Sequence, residues 1–294
     1  MLKTGLQLSK SSTLVDIGQG ILIVLGVATL YYPVFTSLVH DWLNNDNYSH
    51  GFFIPVISGY MVYMLRKELQ GIRLEPLNWG FMLICVSLIQ LVVGKVGTEF
   101  FLQRTSLIPL LLGLILFVFG TSYARKLLLP VLYLLFMIPL PAIIWNKIAF
   151  PLQLFSSTLT EHLIHLLGIP VLREGNLLNL AQTTLEVVDA CSGLRSLTTM
   201  LAMSAALAWF ANCSIALKLA LFLAAAPIAI LANIIRLSAT AILASFFGAE
   251  VAQGFLHEFS GLVTFALGLA MLVSISTLLT RGTTVFEKQN KGPL

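Results

Sequence analysis

The sequence predicts an all-α protein, a polytopic bundle of about eight membrane-spanning helices. Three observations predict it. Of the 294 residues, 57% are hydrophobic and only 10% are charged. A soluble domain carries about 25% charged residues, so these few cannot cover a water-facing surface. Apolar runs long enough to approach a ~30 Å hydrocarbon core recur eight times. Basic residues concentrate in alternate connections, as the positive-inside rule expects.

The eight runs lie near 17–39, 51–65, 79–94, 105–121, 127–145, 194–212, 216–246 and 258–280, and the whole chain 1–294 reads as one transmembrane catalytic domain. Lys3 and Lys10 lead into the first run without a small-residue cleavage site, so it is a span rather than a signal peptide. The second and third runs are short and call for tilt or shielding by neighbours. The seventh contains Pro227, which lacks a backbone donor and predicts a kink. With the N-terminus in the cytoplasm, Lys3, Lys10, Arg66, Lys67, Arg73, Arg125, Lys126, Lys218, Arg281, Lys288 and Lys291 all fall on that side. Both termini are then cytoplasmic, and segments 41–50, 95–104, 146–193 and 247–257 lie outside. The polar stretch 281–294 is expected to be a disordered tail.

The longest outer segment has a pattern of its own. From Phe150 to Gly168, Leu152, Phe155, Leu159, Leu163, Leu166 and Leu167 recur near helical spacing. Ser156, Ser157, Thr160, Glu161 and His165 fall between them. That predicts an amphipathic helix at the membrane interface. Pro170 and Gly175 break it. Asn176–Leu180 and the alternating residues from Thr184 onward flank Ala181–Thr183 and predict a small hairpin. The hairpin hands the chain to Cys191.

Composition excludes several function classes. The net charge of +4 is carried by short loops, and no basic–aromatic patch points to nucleic acid. Cys85, Cys191 and Cys213 are far apart and odd in number, which argues against a disulfide framework. No HxxxH or CxxC spacing supports a metal site, and no cofactor is implied. Cys85 and Cys213 read as structural, and His162 and His165 as surface residues.

The stretch Glu186–Arg195 organises the rest. It puts Cys191 at the start of the 194–212 run, where Asp189 or Ser192 could cap a helix. A thiol in a first turn feels the positive end of the helix dipole, and Arg195 four residues on would share its face. The blander reading is a buried, inert cysteine. Arg236 lies inside the 216–246 run, with Asn233 one turn earlier on the same face. A charge within a span costs roughly 2.5–3.5 kcal/mol and marks a functional interior unless it snorkels to the interface. His257 opens the last run, where a helix N-terminus disfavours the charged imidazole and suits a neutral base. The predicted topology brings all three to the outer face. Cysteine with histidine can activate a thiol, and a nearby arginine can stabilise an oxyanion. His50, at the end of the polar segment Asp41–Gly51, could line the same vestibule.

Four segments carry a family resemblance: Asp46-Asn-Tyr-Ser-His-Gly51, Ala190-Cys-Ser-Gly-Leu-Arg-Ser-Leu197, Asn233-Ile-Ile-Arg236 and His257-Glu-Phe-Ser-Gly261. In combination they resemble the signature segments of the exosortase/archaeosortase family. The resemblance implies a multi-spanning cysteine transpeptidase of the plasma membrane. Such an enzyme would process the C-terminal sorting tails of exported proteins, each a recognition motif such as Pro-Glu-Pro, a transmembrane segment and a basic cluster. Carried over by motif, the catalytic residues are Cys191, Arg236 and His257, with Arg195, Asn233, His50 and Ser192 in support. The implied partners are the substrate tails, membrane lipid and an unidentified acceptor. The rival from another class is a transporter or flippase for a cell-envelope precursor. It would explain the spans and the intramembrane arginine, but not a lone thiol near a histidine.

Overall fold

A computed structural model describes the backbone of residues 4–181, 183–187, 193–248 and 255–290, and the side chains of 18, 20–181, 183–187, 193–248 and 261–278. The helices are α1 (Thr4–Asn44), α2 (Phe53–Gln70), α3 (Trp79–Val96), α4 (Phe100–Thr105), α5 (Leu107–Val118), α6 (Thr121–Tyr133), α7 (Ala142–Leu166), α8 (Leu194–Phe210), α9 (Ile215–Phe247) and α10 (Phe255–Asn290). A short 3-10 helix, Asp46–Phe52, joins α1 to α2, and another, Leu134–Met137, follows α6.

All eight expected runs contain helix, but they are not equally membrane-like. Five helical stretches among the described residues are long and apolar enough to cross a bilayer: Gly20–Asn44, Trp79–Val96, Phe100–Val118, Ile215–Phe247 and Gly261–Leu278. A sixth counts if α6 and α7, bent by 78°, form one broken span. Helices α2 and α8 are more polar or shorter. The first carries Tyr60, Tyr63 and Arg66–Glu68, and the second has 17 residues that include Arg195, Ser196, Thr198 and Thr199.

The fifth expected span, 127–145, needs correction. Its helix gives way at Met137, and Ile138 is extended (φ −92°, ψ 119°). Pro139 and Pro141 are the reason: each lacks a donor, and each pushes the residue before it out of the helical region. The chain restarts at Ala142 as α7. The amphipathic helix therefore begins eight residues before Phe150 and runs through Pro151.

The faces of α7 are sorted for a lipid solvent. Phe150, Phe155, Leu163 and Leu166 are exposed, while Gln153, Ser156, Ser157 and Thr160 are buried. Lipid is as apolar as leucine, so association between helices relies on close approach and polar contacts. The same rule shapes α9, which buries Ala225, Ala229, Ala232, Asn233, Ser238, Ala241 and Ala244.

The predicted hairpin exists, with an extra strand. β1 (Val171–Glu174), β2 (Leu177–Leu180) and β3 (Thr184–Glu186) form one antiparallel sheet in that order. Leu178 faces Leu185 in register. Ile164, Leu178, Leu180, Leu185 and Val187 pack with Leu237, Ala241 and Ala244, so the sheet is seated on α7 and α9. Arg173 Nε donates to Glu161 Oε2 at 2.8 Å and ties β1 to α7. At the far end, α10 carries a helical backbone through Asn290; residues 291–294 of the expected tail lie outside the described residues.

Candidate active site

The end of α1, the 3-10 helix Asp46–Phe52 and the starts of α2, α8 and α10 converge with the second half of α9. Local chemistry holds the 3-10 segment in place. Asn45 caps it, its Oδ1 accepting from the Asn47 backbone N–H at 3.0 Å. Trp42 Nε1 donates to the Met137 carbonyl at 2.9 Å. Gly51 lies against the Trp42 indole, where any Cβ would collide. Tyr48 packs on Trp145 with ring centroids 5.3 Å apart, and burial pushes its phenol up to about 12. Asp46, Ser49 and His50 of this segment line a cavity of about 700 Å³.

Its lining mixes polar and apolar side chains. Arg195, Thr199 and Arg236 join Asp46, Ser49 and His50 as polar residues of the wall. Phe53, Ile57, Met203, Leu262, Phe265 and Leu269 are apolar residues of the same wall. Among the polar residues, Arg195 Nε donates to Asn47 Oδ1 at 3.1 Å, and its Nη2 donates to Asp46 Oδ2 at 3.4 Å. Thr199 Oγ1 and His50 Nδ1 are 3.3 Å apart. Burial lowers the His50 pKa from its ordinary value, against the smaller opposing effect of a hydrogen bond with the Phe136 backbone. The imidazole is therefore neutral near pH 7.

Asn233 is the centre of a second set of contacts. It is 1% exposed, and its Oδ1 accepts from Arg236 Nη2 at 3.0 Å. Gly193 presses against it: a Cβ there would sit 3.0 Å from Asn233 Cγ, and the residue has φ +82°. Only glycine meets both demands without strain. On the other side, a Cβ at Gly261 would lie 3.2 Å from Arg236 Nη1. Arg236 is thus flanked by Gly261 of α10, and its partner Asn233 by Gly193 before α8.

Of the residues predicted from sequence, Arg236, Asn233, Arg195 and His50 are brought together around one cavity. Cys191 and Ser192 lie outside the described residues, and so does the side chain of His257, whose backbone is in the first turn of α10. One expectation is corrected. The N-cap of α8 is Gly193, without a side-chain cap, and the helix starts at Leu194. Neither Asp189 nor Ser192 holds the N-cap position. A left-handed Gly193 precedes Leu194, so Arg195 stands in the first turn of α8, and the expected i,i+4 relation to Cys191 lies outside the described residues. Arg195 reaches back to Asp46 and Asn47. The pairing of His50 with Thr199 was not predicted; Thr199 follows Arg195 by one turn, and that spacing was the available signal. Among the described residues, no group of three or more His, Cys, Asp or Glu side chains is placed to hold a metal ion.

The transmembrane exosortase family matches residues 42–274, most of the chain. The protein belongs to this family. The matched region contains every residue that lines the cavity, from Asp46 to Leu269. Comparisons with curated proteins and with solved structures gave no match. An exosortase is a multi-pass membrane protein with a transpeptidase- or protease-like role in general, and the transporter reading falls away.

Proposed function

We propose that this exosortase is a cysteine transpeptidase or protease acting on the C-terminal sorting tails of exported proteins, of the recognition motif, transmembrane segment and basic cluster type. The carrying observation is the set of contacts around Arg236. Gly193, packed on Asn233, is two residues from Cys191, and two residues of chain span at most about 7 Å. Gly261, packed on the Arg236 guanidinium, is four residues from His257, about one helical turn. Before the thiol, Val187 is fully buried and donates its N–H to the Asn176 carbonyl at 2.9 Å. Val187 and Gly193, the described residues on either side of 188–192, are thus both anchored by packing.

The chemistry follows from the residue types. The Cys191 thiolate attacks the scissile carbonyl carbon, and His257 takes the thiol proton. Arg236 holds the developing oxyanion, its guanidinium oriented by Asn233. The C–N bond breaks, and His257 returns the proton to the leaving amine. The acyl thioester is then attacked by an acceptor amine or hydroxyl, or by water, and the thiol is released. The apolar residues of the cavity wall suit the tail's transmembrane segment, and its polar residues the recognition motif.

Charge gives the orientation of this reading. The ends of α2 and α6 away from the cavity carry Arg66, Lys67, Arg125 and Lys126, which by the positive-inside rule supports a reading with that end in the cytoplasm and the site toward the outer face of the plasma membrane. The test uses a tail-bearing substrate co-expressed with the enzyme. Cys191→Ala should reach the membrane normally and leave the tail uncut, and the active enzyme should yield a thioester to the substrate that hydroxylamine releases. Normal processing by Cys191→Ala would end the proposal.

A further inference from the structure

A second cavity, of about 310 Å³, lies away from Arg236. Met61, Leu129, Phe136, Ala208 and Trp209 contribute to its wall, and Lys218 is the only charged residue in it. Lys218 stands in the first turn of α9. Arg236 is 18 residues further on, about 27 Å along the axis at 1.5 Å per residue. That distance is close to the ~30 Å hydrocarbon thickness, so the two cations mark opposite faces of the membrane. Trp209 suits the same level, since tryptophans gather at the headgroup boundary.

Lys218 is half-buried, and its ammonium has no hydrogen-bond or ion-pair partner among the described residues. A partly desolvated ammonium beside an apolar wall is costly without an anion. The same end of the bundle is basic. Lys126 pairs with Glu68, and Tyr123 Oη donates to the Leu69 carbonyl at 2.9 Å, which joins the end of α2 to the start of α6. Arg66, Lys67 and Arg125 then add positive charge beside this joint. An apolar cavity does not hold water well, and at this depth the apolar species in supply is a lipid chain. Polybasic surfaces at this level attract anionic headgroups, at about 1 kcal/mol per cation.

We propose that this cavity takes one acyl chain of an anionic glycerophospholipid, with the phosphate on Lys218. The experiment is native mass spectrometry and thermal melting of the delipidated full-length protein with added phosphatidylglycerol, phosphatidylcholine or glycerol 3-phosphate. One phosphatidylglycerol should be retained and should raise the Tm. Lys218→Gln should weaken its retention about five-fold, the equivalent of ~1 kcal/mol, and Lys218→Arg should restore it. Ala208→Phe should fill the cavity and abolish the adduct. Three results would overturn the proposal: Lys218→Gln keeping the wild-type preference for phosphatidylglycerol over phosphatidylcholine, glycerol 3-phosphate raising the Tm as much as the whole lipid, or a folded Ala208→Phe keeping the adduct. Neither readout involves Cys191, so the Cys191→Ala protein should bind the lipid like wild type even if the catalytic reading fails.

Discussion

Helices α2, α8 and α9 line both cavities, yet the two ends carry opposite kinds of polar chemistry. Around Arg236 the polar groups hold one another. Asn233 accepts from Arg236, Arg195 donates to Asn47 and Asp46, and Thr199 meets His50. Around Lys218 the cavity wall is mostly apolar, and Lys218 is its one charged residue among those described. The difference follows from what each end must do. A reaction needs groups fixed before the substrate arrives, and mutual hydrogen bonds fix them. Headgroup binding needs only charge at the right depth, which a flexible lysine supplies.

Predictions that would break or sharpen this contrast can be ranked by size. The largest is Cys191→Ala, which should reduce tail processing to background on an immunoblot of membrane fractions. Next, Arg236→Ala should lower the processing rate about 10²–10³-fold, the usual loss for an oxyanion donor. Asn233→Leu keeps the guanidinium but removes its acceptor, and a loss of about ten-fold in initial rate would mark Asn233 as a positioning residue. A wild-type rate for Arg236→Ala would leave the polar end with no more chemistry than the Lys218 end.

Smaller effects test the scaffold. Gly193→Ala forces a side chain into a left-handed backbone, at roughly 1–2 kcal/mol, and into contact with Asn233. It should lower the Tm in detergent by a few degrees and slow processing. His50 gives a pH test. Its folded pKa is depressed, so the folded state binds fewer protons than the unfolded one between the two values. Its stabilising effect is complete above the ordinary histidine pKa of ~6.5 and is lost as pH falls through the lower folded value. The Tm should therefore drop below pH ~6.5, and His50→Gln should flatten that part of the curve. The smallest effect belongs to Arg195 and Asp46. With Asp46 80% exposed, their coupling in a double-mutant cycle on Tm should be at most ~1 kcal/mol.

Much of the site was legible before any coordinates. Arg236 stood out as a charge in an apolar run, and Asn233 as its neighbour one turn away. His50 was the polar end of a loop entering a span. The extent of α8 was less legible, because a glycine with φ +82° reads from sequence like the first turn of a helix. The direction of α7 was also hidden. An alternation of leucine with serine and threonine says that two faces differ, but in lipid the apolar face can be the outer one.

By itself the sequence determined that the chain is a helical membrane bundle, where its apolar stretches lie and which few polar groups are buried among them. Run length, charge content and proline position are local properties that a bilayer reads one segment at a time. Only the tertiary structure decided that Thr199 meets His50 across 149 residues, that Gly193 and Gly261 close on Asn233 and Arg236, and that polar and apolar side chains from distant segments line one cavity. Those features depend on how closely backbones from distant parts of the chain approach one another, and no pattern of hydropathy along one helix encodes that distance.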